Sequence, residues 1–170
     1  MRGQPDPVET CFDLIFEEGA FIHGVYHNMS EEDVKTVMRS PWVSIASDGS
    51  ALAESAPGIP HPRSFGTNPR VLGKYVREER VVTLEDAVRK MTSLPAQVMG
   101  LRDRGQIAEG YWADLAIFNP ETVADTATYE RPHQYPTGID FVLVNGVLVI
   151  DGGNHTGARP GTVVYGPGKR

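Results

Sequence analysis

The spacing of apolar residues changes several times along this chain, and each change marks an element. Val8, Cys11, Phe12 and Ile15 form one helical stripe, with Asp6 as N-cap, Pro7 in the first turn and Gly19 as terminator. Residues 20–26 read as a short strand. Ser30 opens a second helix: Glu31, Glu32 and Asp33 sit at the positive end of its dipole, Val34, Val37 and Met38 face inward, and Pro41 stops it. That helix leads into Trp42-Val43-Ser44-Ile45-Ala46, an apolar β-prone run that ends abruptly in Ser47-Asp48-Gly49-Ser50. Helix, strand, helix, strand is the order of parallel α/β structure with right-handed crossovers.

Residues 51–67 hold Pro57, Gly58, Pro60, Pro62 and Gly66, too many breakers for regular structure, and follow directly on Asp48. Asn68-Pro69 is expected to cap a helix carrying Val71, Leu72, Tyr75 and Val76. Thr83 caps another, with Leu84, Ala87, Val88 and Met91 at helical spacing and Asp86 in the capping-box position. A short helical turn after Ser93 ends at Gly100. From about Gln106 the pattern turns to β. Ala113–Phe118 is a compact apolar strand, residues 141–150 form a hairpin whose Asn145-Gly146 suits a type I′ turn, and a last strand is expected at Thr162–Tyr165. A boundary between Gly100 and Gln106 therefore divides residues 1–104 from 105–170.

Composition narrows the classes. At 170 residues the chain is one domain or slightly more, and a net charge of −6 suggests neither disorder nor a nucleic-acid surface. Arg63, Arg70, Lys74, Arg77 and Arg80 cluster loosely, but Glu78 and Glu79 dilute them, and the group reads as a solvated helix face. Cys11 is the only cysteine, so no internal disulfide can form; its apolar neighbours suggest a buried structural thiol. No stretch is long and apolar enough to span a membrane, and Met1-Arg2-Gly3-Gln4-Pro5 lacks the apolar core of a signal peptide. The expectation is a cytoplasmic protein without a nucleic-acid or membrane partner.

Asp48 is the candidate for chemistry. An acid at the C-terminal end of a strand in a parallel sheet or barrel projects into the crevice, where it can act as general base or metal ligand. The competing reading is a plain turn, which both Asp and Gly favour.

A set of runs in this chain resembles the N-acyl-D-amino-acid deacylases of the amidohydrolase superfamily. They are Ser30-Glu31-Glu32-Asp33-Val34, Ile45-Ala46-Ser47-Asp48-Gly49-Ser50, His61-Pro62-Arg63, Gly66-Thr67-Asn68-Pro69-Arg70-Val71-Leu72-Gly73 and Ala87-Val88-Arg89-Lys90-Met91-Thr92. The runs Gly100–Gly105, Gly110–Leu115 and Val144-Asn145-Gly146 continue the likeness but are shared widely among amidohydrolases; His61 to Gly73 is much more particular to the D-aminoacylase branch. The resemblance implies an α/β fold: the last two strand-helix units of a metal-dependent (β/α)8 barrel in residues 1–104, and part of a small β-sandwich subdomain in residues 105–170. It implies a zinc cofactor and cleavage of an N-acyl-D-amino acid to a carboxylate and a D-amino acid. Asp48 matches the acid that serves as general base and acid, and is a candidate zinc ligand. Arg63 matches the position that grips the substrate's α-carboxylate, a task suited to a planar, permanently charged fork. The alternative for Arg63 is a loop arginine paired with a local acid such as Glu54.

The chain also departs from that family. Its metal site needs a His-x-His pair, and none occurs among His23, His27, His61, His133 and His155. His23 and His27 share one face of the expected strand but lie roughly 13 Å apart, too far for one zinc. The remaining ligands would come from a missing N-terminal barrel part or a complementary chain, with self-association as the other outlet for unpaired strands. A catalytically incomplete remnant or assembly module is the second reading, and a dihydropyrimidinase-like amidohydrolase is a rival within the first.

Overall fold

The computed structural model describes residues 6–20, 22, 24, 26, 28–53 and 55–168. The chain divides into two compact units, residues 1–31 and 32–170. In the first, α1 (Pro7–Glu17) starts where Asp6 caps it: the Asp6 carboxylate accepts from Val8 N–H at 2.8 Å. It ends at Gly19, whose φ of 66° is a left-handed value that costs glycine little. No residue of α1 is buried, so Cys11 is exposed and not the buried thiol expected from its neighbours. An apolar stripe protects a thiol only when something packs on it, and Phe12 remains 61% exposed. The strand expected over residues 20–26 falls partly on positions outside the described residues, as do His23 and His27.

Among the described residues, the second unit has four further helices, a π-helical stretch and one sheet. α2 (Glu31–Arg39) buries Met38 and half-buries Val34, but Val37, expected inside, faces solvent. α3 (Arg63–Arg70) runs without a break into the π-helical segment Val71–Glu78. Two expectations are corrected here. The breaker-rich segment becomes helical at Arg63, and Pro69 lies inside the helix instead of capping it. Proline has no N–H to give the ladder and its ring crowds the preceding turn. Directly after it the ladder widens to i−5 bonds, ending with Glu79 N–H to Lys74 C=O at 2.8 Å. α4 (Leu84–Met91) follows its Thr83 cap, whose hydroxyl accepts from Asp86 N–H at 3.2 Å, and α5 (Ser93–Val98) closes at Gly100, φ 69°. Met38, Val71, Tyr75, Val81 and Ala87 form the core between these helices, with Val34 and Ile45 at its edge. Each large side chain so buried contributes about 1.5–3 kcal/mol.

The sheet has β1 (Leu115–Phe118), β2 (Ile139–Val144), β3 (Val147–Asp151) and β4 (Asn154–His155) in that order, all neighbours antiparallel. Asn145 and Gly146 both have positive φ, 49° and 78°, as a type I′ hairpin requires. The expected strand at Thr162–Tyr165 is absent. That stretch is held by side-chain bonds, Asn145 Nδ2 donating to Pro160 O at 2.7 Å and more distantly to Thr162 Oγ1. The run Trp42–Ala46 is not a strand either: Trp42 lies in a turn, 85% exposed, and Ile45 N–H donates to Lys90 O at 3.0 Å. A β-prone run becomes a strand only beside another strand, and among the described residues the paired strands all belong to the antiparallel sheet.

The long connection from β1 to β2 packs on the helix formed by α3 and the π segment, and two glycines seven residues apart make room for it. A Cβ on Gly73 would lie 2.7 Å from Val123 O, and one on Gly66 3.0 Å from Asp125 Cβ. Val123 is fully buried there. The basic residues of this helix, expected to be solvated, hold the same contact: Arg70 pairs with Asp125 at 3.0 Å, and Arg77 donates to Val123 O at 2.6 Å and to Pro120 O at 3.2 Å.

Candidate active site

Asp48 sits on a tight turn laid across the first turn of α3. Its φ of 47° is a left-handed value that Asp tolerates better than most residues, and Ser47 Oγ accepts from Gly49 N–H at 3.2 Å. Gly49 touches the helix: a Cβ there would stand 2.8 Å from Ser64 Cα and 3.0 Å from Arg63 O. Ser50 N–H then donates to Ser64 Oγ at 3.2 Å. The turn and the site are thus one feature, because the turn carries the Asp48 carboxylate to Arg63, whose Nη2 lies 3.0 Å from Asp48 Oδ2. Asp48 is 85% and Arg63 45% exposed at the side chain, so the pair itself contributes about 0–1 kcal/mol. The backbone, more than the ion pair, holds the two together.

Two consecutive residues of α4 hold the end of α2 and the start of the segment leading to Asp48. Lys90 is fully buried; its ammonium donates to Met38 O and to Ser40 O (2.6 Å), with Asp86 Oδ2 at 3.4 Å. Arg89 donates to Pro41 O at 2.9 Å. Helical spacing marks Ala87 and Met91 as inward positions but gives no sign that the cation between them is buried.

His61 adjoins the pair. Its Nδ1 accepts from Arg63 N–H at 3.0 Å, and its Nε2 lies 2.9 Å from the Tyr129 hydroxyl, the rings meeting edge to face with centroids 5.0 Å apart. Partial burial, then the Arg63 charge, push the His61 pKa below its ordinary value, against a smaller opposing pull from Asp48. His133 reaches the same neighbourhood, donating from Nε2 to Gly58 O at 2.9 Å and packing against Phe65. Tyr129 and His133 come from the β1–β2 connection, 68 and 75 residues along the chain from His61 and Gly58, which they contact. The cluster of Tyr129, His133 and Tyr135 in that polar, proline-containing stretch was the available signal.

Residues of the runs Gly100–Gly105, Gly110–Leu115 and Val144-Asn145-Gly146 form a separate polar brace. Arg104 pairs with Asp114 and donates to Asn145 Oδ1 at 2.9 Å, while Asp114 Oδ1 accepts from Asn145 N–H at 2.7 Å. Trp112 Nε1–H donates to Asp103 Oδ2 at 2.9 Å. These residues fasten the hairpin to residues 103–114.

Among the described residues, no three His, Cys, Asp or Glu side chains are grouped so as to hold a metal ion. Asp48 is paired with Arg63, and both nitrogens of His61 are engaged. The donors described here do not by themselves fit a zinc site.

Helices followed along the chain by a small antiparallel sheet agree with the class found by comparison. Residues 7–150 match the profile of the Amidohydrolase family, and the chain belongs to that family. It is 47% identical over 125 residues to an N-acyl-D-glutamate deacylase of Alcaligenes xylosoxydans xylosoxydans, covering 74% of this chain and 25% of that protein. The crystal structure of a D-aminoacylase that defines a novel subset of amidohydrolases superposes with a TM-score of 0.71 at 45% identity, covering 76% of this chain and 27% of that one. The N-acyl-D-glutamate deacylase of Bordetella bronchiseptica, solved with zinc and a phosphonate that mimics the tetrahedral intermediate, gives 0.65 at 47% identity, covering 71% and 25%. The chain spans about a quarter of the length of the curated relatives it matches.

Proposed function

We propose that this chain is a portion of a zinc-dependent hydrolase of linear amides that cleaves N-acyl-D-amino acids to a carboxylate and a D-amino acid. Asp48 is the general base and acid: it takes a proton from the attacking water and returns one to the departing amine as the C–N bond breaks. Arg63 holds the substrate's α-carboxylate through its two-pronged donor face. Residues 1–104 form the C-terminal part of a (β/α)8 barrel and 105–170 the C-terminal strands of a small β subdomain, in a cytoplasmic enzyme. The zinc bound by the Bordetella relative would be held mainly by donors outside the residues described here, with Asp48 the contribution of this chain.

The observation that carries this reading is the 3.0 Å approach to Asp48 of Arg63, which lies in the His61–Gly73 segment, the stretch that most resembles the deacylases. The same segment argues against a dihydropyrimidinase-like enzyme. A second reading, a catalytically incomplete assembly module, is favoured by the exposed Phe12, Phe16 and Trp42.

The chain purified alone should bind no stoichiometric zinc, self-associate and fail to hydrolyse an N-acetyl-D-amino acid; a complementary barrel chain carrying His-x-His should restore zinc binding and hydrolysis and suppress the self-association. Elemental analysis, light scattering and an amine-release assay measure them. A monomer that retains one zinc and turns over substrate unaided would overturn the reading of an incomplete site, and failure of every complementary barrel chain to restore turnover would favour the assembly module.

A further inference from the structure

The two nitrogens of His61 have opposite roles. Nδ1 accepts from Arg63 N–H, so it carries no proton, and the neutral ring bears its proton on Nε2. Nε2–H therefore donates to the Tyr129 hydroxyl oxygen. A hydroxyl has one proton and two lone pairs, and His61 occupies a lone pair. The Tyr129 proton is left over, and no acceptor for it is found among the described residues. Tyr129 is 53% exposed.

The hydroxyl is also held in place. Thr128 N–H donates to Arg131 O at 3.1 Å, and the Gln134 amide donates to Thr126 O at 2.8 Å and Arg131 O at 2.7 Å, closing a compact loop around Tyr129. His133 ties that loop to Gly58, and the Phe65 ring meets Tyr135 with centroids 5.8 Å apart. A donor fixed by packing and by a partner that uses only its oxygen is arranged to give its proton outward.

We propose that the Tyr129 hydroxyl is a substrate-binding group of this site, donating a hydrogen bond to the α-carboxylate alongside Arg63. The inference rests on the reading of Arg63 as the carboxylate grip. A carboxylate offers about four acceptor positions, and an arginine fork fills two of them. A neutral O–H donor takes a third without adding a charge that would compete with Arg63 for Asp48.

The test is a pair of titrations of the full chain, followed by NMR, with N-acetyl-D-alanine and with its neutral analogue N-acetyl-D-alaninamide. Tyr129→Phe keeps the ring against His61 and removes only the hydroxyl. It should weaken the acid about tenfold, the loss expected for one hydrogen bond to a charged group, and leave the amide unchanged. Arg63→Ala should weaken the acid further. If Tyr129→Phe binds the acid as the wild type does while Arg63→Ala does not, the Tyr129 assignment is overturned and the reading of Arg63 stands. Equal losses on acid and amide would reduce Tyr129 to packing and overturn it equally. A wild-type chain that fails to prefer the acid over the amide overturns the Arg63 reading, and this inference with it.

Discussion

Arg63 Nη2 lies 3.0 Å from Asp48 Oδ2, so the cation proposed to hold a substrate is held, in the free chain, by the acid proposed to act on it. Both side chains are exposed, and such pairs contribute at most about 1 kcal/mol. On the proposed reading, a substrate carboxylate would displace Asp48 from Arg63 at little cost and leave Asp48 free for proton transfer.

Asp48→Asn keeps the size and turn preference of the side chain but removes its basicity. In an enzyme assembled with a complementary barrel, turnover should fall by roughly 100-fold or more while the circular dichroism spectrum is unchanged. Near-normal turnover would remove Asp48 from the mechanism.

Arg63→Ala should raise KM for N-acyl-D-amino acids and have much less effect on their neutral amide analogues, because only the acids offer the guanidinium a partner. Steady-state kinetics on both substrate types separates this role from simple support of α3.

Gly49→Ala tests how the pair is brought together. The new methyl would meet Ser64 Cα and Arg63 O, backbone atoms that cannot swing aside. Overpacking of this kind should destabilise the chain by about 1–3 kcal/mol in urea unfolding. Ser64→Ala, which loses one hydrogen bond to Ser50 N–H, should cost only about 0.5–1.5 kcal/mol. A neutral Gly49→Ala would mean that the turn and helix are not in tight contact.

Lys90→Met keeps the length of the side chain and leaves the Met38 carbonyl without its donor, while the Ser40 carbonyl keeps only Val43 N–H at 3.3 Å. One buried acceptor left unpaired should cost about 1–3 kcal/mol. Hydrogen exchange should locate the effect at Ile45, whose N–H donates to the Lys90 carbonyl, while the β2–β3 hairpin keeps its protection. Uniform loss of protection across both regions would argue for global unfolding instead.

The His61 pKa is lowered in the folded chain by partial burial and by Arg63, with Asp48 opposing and Tyr129 its uncharged neighbour. A group whose folded pKa lies below its unfolded value binds fewer protons when folded, so its contribution is fully present above the ordinary histidine value, about 6.5, and is lost as pH falls through the folded value. Protonation would also turn Nδ1 from acceptor to donor against Arg63 N–H. Thermal unfolding of the wild type should therefore lose more stability between about pH 7.5 and pH 5 than that of His61→Asn, and parallel pH curves would contradict it.

Much of the secondary structure was legible from local chemistry. Asp6, Thr83 and Gly100 act as caps and terminators through their own φ and hydrogen bonds, and Asn145-Gly146 turns a hairpin because both residues accept positive φ. Such features depend on a few neighbouring residues, so the sequence by itself determined them, together with the family likeness of His61–Gly73. Where the outcome depended on distant partners, the tertiary structure decided it. Trp42–Ala46 has strand composition, yet its Ile45 amide bonds to the Lys90 carbonyl of α4, and no strand lies beside it among the described residues. Pro69 reads as a cap until Gly66 and Gly73 let the β1–β2 connection close on the helix that contains it. Asp48 and Arg63 could each be singled out from the sequence, but their contact with one another, through Gly49 on Ser64, and the link from His61 to Tyr129 are made by segments that meet only in three dimensions.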